Sequence, residues 1–238
     1  MECDKTLLSI GFERSQLEHA VYKRGEGKTR LLVGVYVDDL VITGASEVEI
    51  AKFKKQMKDL FSMSDLGLLS YYLGIEMLQV PGGIFIGQEA YARKILEVSG
   101  MEDCNSTQAP MEAKLKLSKQ SDSPLVDQTM YRSLVGSLRY LVNTRPDLAY
   151  AIGIVSRFME SPTTEHMNAV KHILRYVQGS IDQGCYYARR KKEADWMEGF
   201  SDSDMAGDVD DRKSTTGVAF FFDGNIFAEA KGSCTFIL

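Results

Sequence analysis

The chain reads as an α+β protein whose strand patterns and helix patterns occupy separate stretches. Three observations carry that reading. Leu31 to Gly44, LLVGVYVDDLVITG, is two apolar runs rich in Leu and β-branched residues that meet at Asp38 and Asp39. Between residues 131 and 178, apolar side chains recur at three-to-four spacing, the pattern of amphipathic helices. From Gly184 onward short apolar strand patterns return around an acidic loop.

In chain order, Leu7, Leu8, Ile10 and Phe12 suggest a helix end running into Gly11, and His19 to Tyr22 reads as a short strand. Gly25-Glu26-Gly27 is a turn into the Leu31–Gly44 hairpin. The Asp38-Asp39 tip has two readings: a solvated turn, or a cation site, since hard divalent ions take oxygen ligands. Ser46 and Glu49 have capping-box spacing before a helix with Ile50, Phe53, Met57, Leu60 and Phe61 on one face. Tyr71 to Leu78 reads as a strand, Pro81-Gly82-Gly83 as a turn and Ile84 to Ile86 as the returning strand. Glu89 to Val98 is a shorter helix closed by Gly100. Residues 102–128 read as a polar connector.

Three helices follow: one with Tyr131, Leu134, Val135, Leu138, Leu141 and Val142 inward, one from Leu148 to Met159, and one from Glu165 to Val177. Arg145-Pro146 and Pro162 separate them, because the residue before proline avoids the α region. Arg139, Arg145, Arg157, Lys171, His172 and Arg175 fall on expected exposed positions, a locally basic face or an ordinary solvated one. Strands are expected at Cys185 to Ala188, Met197 to Ser201 and Val218 to Phe222, with a charged turn at Arg189 to Lys192. The loop SDSDMAGDVDDRKSTTG carries Asp202, Asp204, Asp208, Asp210 and Asp211. It reads either as a solvated acidic loop or as one whose Asp202 opens a metal site at a strand end.

A length of 238 residues allows one or two domains, and 44% hydrophobic residues are ample for a core. A net charge of −5 gives no global basic footprint, so nucleic-acid binding needs a local patch. The N-terminal residues do not form a secretory signal, and no stretch reaches membrane-spanning length. Cys3, Cys104, Cys185 and Cys234 are scattered without a CxxC pair, as expected of reduced thiols in an intracellular protein. His19, His166 and His172 lack metal-site spacing.

With these elements placed, the sequence resembles the reverse transcriptase of copia-type LTR retrotransposons. Tyr36-Val37-Asp38-Asp39 is similar to the family's YVDD box. FSMSDLGLLSYYLGIE (61–76), GQEAYARKILEVSGM (87–101) with Ala109-Pro110-Met111, and residues 131–179 follow in the family's order. GFSDSDMAGDVDDRKSTTG (199–217) resembles the opening of the family's RNase H domain. The resemblance implies a partial palm over residues 1–88, a helical thumb or connection over 89–182, and the first strands of an RNase H-like sheet over 183–238. It implies Asp38, Asp39 and Asp202 as catalytic and metal-ligating residues for Mg2+ or Mn2+. Tyr36 and the thumb residues Arg139, Arg145, Lys171 and Arg175 are then expected to contact nucleic acid. The implied partners are an RNA template, a DNA primer, the RNA–DNA hybrid and a dNTP.

The pattern also departs from the family. Its further palm Asp, its fingers and a Tyr-Gly-Leu segment have no counterpart here, Met205 stands where the family has tryptophan, and AEAKGSCTFIL does not follow the family's continuation. The expectation is therefore a fragment truncated at both ends, with neither active site complete and no polymerase or nuclease activity alone. Its palm hairpin should expose a strand edge that invites aggregation. The alternative is a non-catalytic RNA- or DNA-binding remnant, or a degenerate transposon reading frame.

Overall fold

The structure, a computed structural model, describes residues 2–113, 115–189, 196–204 and 207–232. Met205, Cys234 and the 190–192 part of the expected charged turn lie outside the described residues. The chain divides into two compact units, Met1–Leu69 and Ser70–Leu238. Among the described residues no helix is long and apolar enough to cross a membrane.

In the first unit, helix α1 (Glu2–Ser9) ends at Gly11, whose φ of +88° suits glycine. Strands β1 (Glu13–Arg14), β2 (Val21–Arg24), β3 (Leu31–Tyr36) and β4 (Asp39–Gly44) form an antiparallel sheet in the order β1-β2-β3-β4. Helix α2 (Glu47–Leu60) follows. Alternation sends Leu31 and Val33 inward, and helical spacing sends Phe53 and Met57 to meet them in a core with Leu7, Phe12 and Tyr22. The expected capping box is not made. Ser46 occupies the N-cap without a side-chain bond, because Glu49 turns to the Lys52 ammonium at 2.7 Å. Leu60, expected on the buried face, is exposed.

The second unit opens with strands β5 (Tyr71–Tyr72), β6 (Ile75–Val80) and β7 (Gly83–Gly87). Tyr71 to Leu78 is thus two strands and not one. Leu73 and Gly74, at φ of +50° and +77°, make a two-residue turn, and the Tyr140 hydroxyl donates to the Leu73 carbonyl. Helices α3 (Glu89–Ser99), α4 (Gln128–Leu141), α5 (Ala149–Val155) and α6 (Thr164–Gln178) bury a shared core that includes Ile95, Tyr131, Leu138, Ile152, Val170 and Leu174. The expected Leu148–Met159 helix is shorter, with 3-10 turns on both sides of α5. The Asp127 carboxylate caps α4 by accepting the Thr129 and Met130 N–H groups. The polar connector is anchored, placing Met111, Leu117 and Val126 against the bundle core.

Strand β8 (Gly184–Ala188) pairs with β7, completing the sheet β5-β6-β7-β8 rather than joining the later strands. The last sheet runs β11-β10-β9, from β9 (Met197–Ser203), β10 (Thr216–Phe222) and β11 (Asn225–Gly232). Strand β11 was not expected. It returns through Asp223-Gly224, both at positive φ.

His166 is fully buried at the start of α6, stacked on Phe158 with ring centroids 3.9 Å apart. Its Nδ1 accepts the Thr163 N–H at 3.0 Å, so the neutral ring carries its proton on Nε2, 3.1 Å from the Ser118 carbonyl. Burial pushes its pKa below the ordinary value, outweighing the Ser118 carbonyl and the charges of Glu165 and Asp210. A depressed histidine pKa means the folded state favours the neutral ring. Its contribution is therefore complete above the unfolded value of about 6.5 and is lost as pH falls through the folded value. Urea midpoints measured from neutral pH down to about pH 5 should show this decline, and His166→Gln should flatten it.

Candidate functional site

The hairpin of β3 and β4 pairs in one unbroken register, from Leu31↔Gly44 to Tyr36↔Asp39. Only Val37 and Asp38 remain for the turn, so Asp38 sits at its apex and Asp39 opens β4. Both carboxylates are exposed, as are Tyr36 and Val37. Val37 has a φ of +52°, a region that β-branched residues avoid, and Asp38 does not share the positive φ. A two-residue turn of this kind favours glycine first. The register thus holds a costly residue at the tip to keep both acids there.

Two adjacent carboxylates are suitable donors for a hard divalent cation. They are too few for a complete site. Among the described residues no three His, Cys, Asp or Glu side chains converge as a metal cluster.

Asp202 lies in the second unit, one residue before the end of β9, exposed and opposite Gly217 of β10. Its acidic neighbours organise the loop. Asp204 accepts the Thr215 N–H at 2.7 Å, and Asp208 pairs with the Arg157 guanidinium at 2.8 Å while accepting the Asp210 N–H. Asp210 accepts the Ser118 hydroxyl at 2.5 Å and the Lys119 N–H at 2.8 Å, and the Ser118 bond leads in lowering its pKa. Asp211 is lowered chiefly by its bond to Lys213. The second arm of Arg157 reaches the Thr215 hydroxyl at 2.7 Å. The sequence placed Arg157 on an exposed face. No local pattern signals partners 51 and 58 residues away.

The basic residues separate into two kinds. Arg145, expected to be exposed, is 2% exposed. Its guanidinium pairs with Asp147 at 2.7 Å, donates to the Ser180 carbonyl and hydroxyl, and lies over the Tyr176 ring. The physical reason is the break before Pro146: past the end of α4, Arg145 stands at φ −129° ahead of the Pro146–Leu148 3-10 turn and turns its side chain into the bundle. Arg175 is half-buried and donates to the Asn105 carbonyl at 2.7 Å. Arg139 on α4 and Lys171 on α6 are exposed and have no polar partner among the described residues.

Two outcomes follow from these placements. Val37→Gly removes the positive-φ cost and should raise unfolding stability by about 0.5–1 kcal/mol in urea titrations. Arg145→Ala removes a buried guanidinium together with its ion pair to the half-exposed Asp147 and its bonds to Ser180, so it should cost about 2 kcal/mol in the same assay, while Arg139→Ala stays within about 0.5 kcal/mol of the parent.

Residues 1–113 match the family described as reverse transcriptase (RNA-dependent DNA polymerase). The chain is 38% identical over 217 residues to the retrovirus-related Pol polyprotein from transposon RE1 of Arabidopsis thaliana, covering 91% of this chain and 15% of that protein. It is 37% identical over 234 residues to the corresponding polyprotein from transposon TNT 1-94 of Nicotiana tabacum, covering 94% of this chain and 17% of that protein. An uncharacterized mitochondrial protein of Arabidopsis thaliana is 40% identical over 194 residues, 82% of this chain and 80% of that protein. No solved structure matches the chain. The chain thus spans only 15% to 17% of the length of these transposon polyproteins. With the reverse transcriptase family matched over residues 1–113 and transposon Pol proteins aligned along nearly its whole length, the chain belongs to the reverse transcriptase family of copia-type transposon Pol polyproteins.

Proposed function

We propose that the chain is a portion of an RNA-directed DNA polymerase. In this reading residues 1–88 are palm, 89–182 thumb, and strands β9 to β11 the opening of an RNase H-like sheet, with β8 left in the β5-β8 sheet. The observation that carries the proposal is the Tyr36-Val37-Asp38-Asp39 turn, folded as a tight hairpin tip with both carboxylates facing solvent. Asp38 and Asp39 are the polymerase acids, and Asp202 is the first RNase H acid. In the complete enzyme Mg2+ or Mn2+ supplies the charge that phosphoryl transfer requires. A carboxylate pair alone does not hold two metals, so these 238 residues by themselves do not extend a primer. Their remaining capacity is contact with an RNA template and DNA primer. Arg139 and Lys171, exposed on α4 and α6, are cations available for it, and Arg175 and the exposed Tyr36 ring are further contacts in this reading.

Primer extension on an RNA template with Mg2+ or Mn2+, run beside Asp38→Ala, tests the catalytic half. No extension is the expected result. Extension that disappears in Asp38→Ala would show that another carboxylate completes the site. The binding half is tested by titrating an RNA–DNA hybrid at rising salt. Affinity should fall with salt, and the Arg139→Glu/Lys171→Glu variant should bind more weakly than the parent, whereas equal binding by both would remove these residues from the interface.

A further inference from the structure

We infer that His166 is an acid-released latch: protonation of its ring uncaps α6 and frees the Pro124–Val126 stretch that pairs with the start of that helix. Thr163 is the N-cap of α6, and the capping box is closed by a histidine where glutamate or glutamine ordinarily stands. The Thr163 hydroxyl accepts the His166 backbone N–H, and the His166 Nδ1 accepts the Thr163 N–H at 3.0 Å. A glutamine makes the second bond at any pH. An imidazole makes it only while Nδ1 keeps its lone pair. Once Nδ1 is protonated, the Thr163 hydroxyl, 3.1 Å away, can accept the new proton, but the Thr163 N–H has lost its acceptor. The imidazolium charge then also sits in the first turn of α6, beside the positive end of the helix dipole.

The capped end is where the connector is fastened. Leu125 and Thr163 form an antiparallel bridge, the Val126 N–H donates to the Pro162 carbonyl at 3.0 Å, and the Thr164 N–H donates to the Pro124 carbonyl at 2.9 Å. The charges facing the ring are Glu165 on its own helix and Asp210 from the acidic loop, and both favour protonation. Burial, with the Phe158 ring stacked on the imidazole, opposes it and prevails. The latch is therefore closed at neutral pH and opens as pH falls through the folded value of the ring, below about 6.5. Asp210 stays ionised in that window, since its bond from the Ser118 hydroxyl leads in holding its carboxyl below the ordinary range. The Nε2–H bond to the Ser118 carbonyl survives protonation, so release begins at Thr163 and not at Ser118.

Residue-resolved hydrogen exchange of the full chain, with the His166 ring followed by NMR, tests this. Between neutral pH and about pH 5, protection of the Thr163, Thr164 and Val126 amides should fall about tenfold, in step with the titration of the ring. Ile95 and Leu138, in the helical core, should keep theirs. His166→Gln keeps a capping-box side chain without a titrating group and should hold all three amides protected at both pH values. Should that variant fail to fold, the parent decides alone: the ring and the three amides must share one midpoint. Amides that stay protected through the ring titration overturn the inference, as does a ring that does not titrate before the chain unfolds. Equal loss in His166→Gln, or loss at Ile95 and Leu138 alongside the three amides, overturns it too. Primer-extension and hybrid-binding results bear only on the function proposed above.

Discussion

A slip of one residue between β3 and β4 would turn Leu31 and Val33 to water and draw Asp38 out of the turn. The burial of those two side chains against Phe53 and Met57 therefore fixes where the carboxylates stand. The period of a strand is two, so a register is either right along its whole length or wrong along its whole length. In this sheet the apolar core sets the register, and the register sets the tip. Val37 is the cost of that arrangement, because the phase of the ladder leaves a β-branched residue at the position where a turn prefers glycine.

The second unit is held differently. Its helices bury a contiguous core, but its loops are fixed by single polar side chains that reach across long stretches of sequence. Arg157 fastens the acidic loop, Asp210 accepts the Ser118 hydroxyl, His166 takes the Ser118 carbonyl, and Tyr140 seats the Leu73-Gly74 turn. Each is a polar group whose partner is another part of the chain. Removing one member leaves its partner with an unmade hydrogen bond, which costs more than the bond itself contributes. These ties also change the reading of the acidic loop. Asp204, Asp208, Asp210 and Asp211 are occupied by N–H groups, hydroxyls and cations.

What was legible in the sequence was local. The hairpin at Leu31–Gly44 and the faces of α4 and α6 follow from periodicity, and periodicity is set by residues a few positions apart. The Asp223-Gly224 turn was equally local, a two-residue hairpin signal between Phe222 and Asn225, and it announces β11 to anyone who reads it. Leu73-Gly74 was harder, since a leucine at positive φ carries no turn signal of its own. The pairing of β7 with β8 and the burial of Arg145 were not legible at all. The first joins segments about a hundred residues apart, and the second depends on where a chain turns after a proline break. The candidate site divides the same way: a turn holds Asp38 and Asp39 at the tip, while Asp208 and Asp210 find partners 51 to 92 residues away, in Arg157 and the Ser118-Lys119 stretch.

The balance of charge narrows what the surface can do. The chain is acidic overall, and part of its positive charge is paired within the chain: Arg145 with Asp147, Arg157 with Asp208, Lys54 with Asp65 and Lys213 with Asp211. A nucleic-acid backbone is drawn by cations that are not already paired, because the favourable term is release of its own counterions. The exposed Asp38-Asp39 tip works against it, placing two negative charges where a phosphate would approach. In the proposed reading, attraction to a template–primer backbone comes from exposed, unpaired cations such as Arg139 and Lys171 and not from the acidic tip.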